Sequence, residues 1–170
     1  MCRSVTAVQD EQFTGKPTSL TGAATNLTLP IGEITREAAT LAFKDVFSDG
    51  VKVVESASGQ MGHVAVVRPW TSQFSYEYNA LKNAGFAITP TAVVGLNVSL
   101  LSSDMKLMFT RNFASGNVEG PTYVLSGSPG DEVSKAAHQA VMKVMQEAAD
   151  ATYRELKKGQ ATGAKGDTAM

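Results

Sequence analysis

The chain has 170 residues, enough for one domain with a real core and too few for two comfortable ones. Hydrophobic residues make up 43% and charged residues 18%, with a net charge of -1, so there is no electrostatic case for nucleic acid or for attraction to an anionic membrane surface. No apolar run approaches the roughly 20 residues of a membrane span, and one cysteine excludes an internal disulfide and a thiolate metal cluster.

That cysteine is Cys2, at the head of a polar stretch. Residues 3–28 are rich in Thr, Ser and Gln, hold Gly15, Pro17 and Gly22, and leave Val5, Val8 and Phe13 isolated. Residues 1–28 therefore read as a polar tether, with room for one short strand near residues 24–29. Two readings of Cys2 stand side by side. It is a lipidation site exposed by removal of a signal peptide, or an irrelevant thiol beside a gene-start methionine. No hydrophobic segment lies ahead of it, and Met1 is not the small residue a cleavage site prefers.

At residue 29 the character changes, and residues 29–158 read as a single globular domain. Ile34, Ala38, Leu41 and Ala42 recur at helical spacing, widened by Ala39, Phe43, Val46 and Phe47, which predicts a helix over 32–48 stopped by Asp49-Gly50. A short β-branched strand follows at 51–55, then one at 63–68 ended or bulged by Pro69. Residues 73–78 alternate aromatic with polar, as a strand with one wet face does. Ala92, Val94, Leu96, Val98 and Leu100 share one face of a strand ending near Leu101. After the turn Ser102-Ser103-Asp104 the chain returns over 105–113, with Leu107, Phe109 and Phe113 on one face. A last strand fits 121–125. Ser128 then caps a helix with Pro129 at its first position and Asp131 in its first turn. Its stripe of Val133, Ala137, Ala140, Val141, Val144, Ala148 and Leu156 runs to Lys158. Gly159 ends it, and 159–170 reads as a disordered tail.

The fold class is α/β (α+β): a mixed, mostly antiparallel sheet of about five strands with two amphipathic helices, 32–48 and 128–158, packed on one face.

Chemistry-bearing patterns are sparse. His63 and His138 have no neighbour at metal-ligand spacing, so no metal and no cofactor is expected. No serine sits in a nucleophile-elbow pattern. Gly127 and Gly130 precede a helix, but Pro129 removes a backbone donor and no phosphate-binding lysine follows. Asp131 and Glu132 suit a helix dipole, and Asp45 and Asp49 most simply face water. Trp70, Phe74, Tyr76 and Tyr78 form an aromatic cluster that either packs under a helix or presents a ligand or partner face. Met105, Met108, Met142 and Met145 read as core fillers. No enzyme activity is expected.

Cys2, the polar stretch, the helix-then-strand segment 34–54 and the long helix over 133–156 together resemble small outer-membrane lipoproteins of Gram-negative bacteria: YajG-type lipoproteins, the LPS-assembly lipoprotein and the lipoprotein of Pel polysaccharide export. The likeness covers about 29–158 and is architectural. It implies a lipid anchor at Cys2, a periplasm-facing domain on the outer membrane, and a non-enzymatic assembly or scaffold role. Its partners would be other envelope proteins or further copies of itself. The competing class is a soluble domain that binds a glycan or lipid on the aromatic strand face.

Overall fold

A computed structural model describes residues 4–8, 13–15, 27–29, 31–46, 52–54, 63–78, 87–102, 104–124 and 129–163. In chain order the elements are β1 (Ser4–Val8), β2 (Phe13–Gly15), β3 (Leu27–Leu29), α1 (Ile31–Phe43), β4 (Lys52–Val54), β5 (His63–Tyr78), β6 (Ala87–Leu101), β7 (Leu107–Ala114), β8 (Val118–Glu119), β9 (Tyr123–Val124) and α2 (Pro129–Gly163).

The main sheet runs β4-β1-β5-β6-β7, with β8 and β9 also paired to β6, and a separate small sheet joins β2 to β3. β1 is parallel to both its neighbours, whereas every pairing of β6 is antiparallel. The sheet is thus mixed and mostly antiparallel, with α1 and α2 contributing to one core, as the fold class requires.

β6 is the spine of that core. Ala92, Val94, Leu96, Val98 and Leu100 alternate along it and are all fully buried, which is the period-two face read from the sequence. Against them lie Ile34, Ala38, Ala39, Ala42 and Phe43 of α1 and Val133, Ala137, Ala140, Val141, Val144 and Ala148 of α2. Small alanines on both helices let the helix axes approach the sheet and each other closely. The opposite sheet face is polar along β6 and β7. Asn97 Nδ2 donates to Asn112 Oδ1 at 2.7 Å, and the Ser99 and Thr110 hydroxyls lie 2.9 Å apart. These are directly opposed residues, so the bonds knit the two strands across the wet face.

The far side of β6 is paired in three pieces, and Ser115 bridges the first gap. Its N–H donates to the Val94 carbonyl at 2.9 Å, and its Oγ accepts the Val94 N–H at 3.0 Å. The hydroxyl thus replaces the strand carbonyl that is missing where β7 ends. Lys143 Nζ on α2 donates to the Ser115 carbonyl at 2.8 Å, tying helix to sheet. Ser115→Ala strands a buried N–H. It is expected to cost about 1.5 kcal/mol in the urea midpoint, with no change in helix content by circular dichroism.

Four expectations change. The tether read over residues 3–28 contains two strands not expected there, Phe13–Gly15 and Ser4–Val8, the latter an interior strand of the main sheet; Leu27–Leu29 falls on the short strand expected near 24–29, and the remaining residues of that stretch lie outside the described set. The strands read at 63–68 and 73–78 are one strand. Its register slips between Pro69 and Thr71, so Trp70 is an extra residue that absorbs the proline as a bulge. α1 ends at Phe43, where Val46 N donates back to the Phe43 carbonyl, and α2 continues past Gly159 to Gly163. Finally, Met105 and Met108 are not core fillers, and Leu107 leaves the face of Phe113: all three are exposed. A second register slip, at Leu100/Leu101, makes Met108 the extra residue and turns Leu107 to the other side. Met145 is fully buried and Met142 partly so.

Candidate functional site

Three places bear on function: the sheet end that adjoins Cys2, the aromatic stretch of β5, and a cleft between the two helices. Cys2 itself lies outside the described residues. Ser4, two residues on, opens β1 and pairs with His63, the first residue of β5. The same end carries the turn between β6 and β7, because Val64 pairs with Leu101 and Leu101 with Leu107.

That turn is closed by its own hydrogen bonds. Ser102 N donates to the Lys106 carbonyl at 2.8 Å, Met105 N to the Ser102 carbonyl at 2.9 Å, and Lys106 N to Ser102 Oγ at 3.1 Å. Lys106 Nζ lies 2.8 Å from Asp104 Oδ2, and the Ser102 hydroxyl donates to the other carboxylate oxygen. The hydrogen bond from Lys106, then that from Ser102, lowers the Asp104 pKa to about 2. Met105 sits at φ 61°, in the left-handed region.

Of the aromatic cluster, Trp70 is the bulge residue of β5. Phe74, Tyr76 and Tyr78 pair with Ala92, Pro90 and Ile88 of β6. The side chains of Trp70, Phe74, Tyr76 and Tyr78 lie outside the described set.

The cleft lies between the end of α1 and the second half of α2. Leu41, Ala42, Asp45 and Val46 form one wall and Gln146, Asp150 and Tyr153 the other, around a volume of about 220 Å³. Gln146, Asp150 and Tyr153 are spaced four and three residues apart, so they share a helix stripe beside the buried one. Gln146 Nε2 approaches Asp150 Oδ1 at 3.4 Å, and Lys157 Nζ stands 4.6 Å from the centroid of the Tyr153 ring. Two carboxylates in a mainly polar cleft suit a cationic or amide group. The cleft lining holds no nucleophile–base pair. Asp45 is exposed, as expected, and also stands in this wall. That Asp45 and Asp150 line one cleft was not legible in the sequence, since they lie far apart in the chain. Neither His63 nor His138 lines the cleft. Among the described residues no three His, Cys, Asp or Glu side chains are grouped to hold a metal ion, and no helix is long and apolar enough to cross a membrane.

No protein-family model matches this chain, and no curated protein matches it either. Among solved structures it is similar to a Xanthomonas campestris protein of the DUF330 family model, with 17% identity, 94% of this chain and 88% of that one covered, and a TM-score of 0.57. It is also similar to a candidate neuraminyllactose-binding hemagglutinin homolog from Helicobacter pylori, with 10% identity, coverage of 95% and 89%, and a TM-score of 0.53. A looser similarity joins it to rare lipoprotein B from Shewanella oneidensis, with 14% identity, coverage of 94% and 98%, and a TM-score of 0.36. What the chain shares with the Xanthomonas and Helicobacter proteins, over nearly its whole length, is the fold.

Proposed function

We propose that this chain is a non-enzymatic lipoprotein, acylated on Cys2 and held to the periplasmic side of the outer membrane. There it serves as an assembly or scaffold component of an envelope or export machine. The observation that carries the reading is Cys2 itself, the chain's sole thiol, two residues ahead of an interior strand of the sheet. Acyl chains contribute about 0.8 kcal/mol per buried methylene, so several on one cysteine anchor durably. With β1 beginning at Ser4, such an anchor would hold the domain directly against the membrane. The sheet-and-helix fold supports the resemblance drawn from the sequence.

The test is intact-mass and peptide mass spectrometry of the protein from its native host. Acyl mass on an N-terminal Cys2, with Cys2→Ser moving the protein from the membrane to the soluble fraction, is the expected result. A free Cys2 thiol in the soluble fraction would overturn the reading.

A further inference from the structure

We propose that the apex of the β6–β7 hairpin is a second membrane contact, inserting Met105, Leu107 and Met108 among the acyl chains of the bilayer that holds the Cys2 lipid. For the presence of a bilayer this rests on the lipoprotein reading; the apex itself is read from the fold.

The first observation is composition. Met105, Leu107 and Met108 are large apolar side chains that stand exposed, at 41%, 59% and 40%. Exposed apolar residues scattered singly need no explanation, but three within four positions at the end of a hairpin form a patch. The second is how the chain pays to keep them there. The slip at Leu100/Leu101 turns Leu107 outward and leaves Met108 unpaired, and the turn holds Met105 at φ 61°. Glycine or asparagine would fill that position at less strain. A long apolar side chain there costs stability and gains nothing inside the domain.

The third is charge. Asp104 and Lys106, the charged side chains at the turn, are paired with each other at 2.8 Å, so the apex brings no net charge to a lipid surface. The fourth selects the occupant. Three strand spacings separate β1 from β7 in the sheet order, so the apex stands roughly 14 Å to the side of Ser4 at the same end of the sheet. A bilayer reached by a lipid on Cys2 is therefore the surface the apex meets first. A single anchor leaves a domain free to swivel, whereas two contacts at this separation fix its orientation.

The experiment couples the full chain through Cys2 to a maleimide phospholipid in dioleoylphosphatidylcholine nanodiscs, with and without nitroxide-bearing lipid. Signals of ¹³C-methyl methionine are then compared. The Met105 and Met108 methyls are expected to broaden several-fold more than those of Met142 and Met145. The double variant Met105→Gly, Leu107→Ser relieves the left-handed strain and should fold at least as stably. In it, Met108 broadening should fall to the level of the buried methionines. Uniform broadening across the four methionines overturns the proposal. So does broadening at the apex that follows protein concentration and not nitroxide, which would mark a contact between copies. Because the lipid is attached chemically, a negative result counts against the apex alone, while host acylation is decided separately by mass spectrometry.

Discussion

Phe43→Ala is expected to lower the free energy of unfolding by about 3–5 kcal/mol, the range for emptying a buried aromatic site. Phe43 is the last residue of α1, has no exposed surface, and is among the largest fully buried side chains of the core. Its cluster mates on α1 are Ile34, Ala38, Ala39 and Ala42, and on α2 they include Ala140, Val144, Ala148 and Ala149. Alanines cannot rotate into a vacated space, so the cavity stays open and its cost is added to the lost transfer free energy. Against a total of about 5–15 kcal/mol for a domain, this takes the protein to the edge of folding. Equilibrium urea denaturation followed by far-UV circular dichroism measures it, with Phe43→Leu as a partly filled control at smaller cost. A loss below about 1 kcal/mol for Phe43→Ala would place the ring outside the core.

Gly120→Val is expected to cost about 3 kcal/mol, at the upper end for forced overpacking. A Cβ built on Gly120 would lie 2.7 Å from the Ala136 Cβ, 3.0 Å from the Glu132 carbonyl oxygen and 3.1 Å from Pro90 Cγ. Two of these atoms cannot turn aside: one is α2 backbone and one is the first carbon of a fully buried alanine. Gly120 also donates its N–H to the Pro90 carbonyl at 2.8 Å, so it cannot retreat without breaking the link between β8 and β9 along β6. The helix must therefore move. Thermal melting should show a lower midpoint, and Ala136→Gly in the same chain should restore part of it by removing the nearest of the three atoms.

What the sequence disclosed follows from how much pattern each element carries. Fifteen residues of β6 and the stripe of α2 repeat their period often enough to be read, and their predicted faces are the buried ones. β1 has five residues, Ser-Val-Thr-Ala-Val, too few repeats of its period to stand out from the polar residues around it. The register slips were legible only in part: a bulge at Pro69 was one of two readings there, and the slip at Leu100/Leu101 was not read. A bulge is decided by the partner strand, so neither the continuity of β5 through Pro69 nor the outward turn of Leu107 is written in local composition. The helix cleft depends on a juxtaposition of distant residues, and only the acidic and aromatic spacing on α2 hinted at half of it.

The place of β1 in the sheet also orders events in time. β1 is wedged between β4 and β5, whose paired residues begin at Lys52 and His63. Its partners leave the ribosome, or cross a membrane, some fifty to sixty residues later. Closing so long a loop is slow compared with forming the neighbouring β6–β7 hairpin. Until it closes, the β5 edge is an open template for another chain. On this order β1 joins the sheet last, and the β5 edge stays open until the β6–β7 hairpin is already in place.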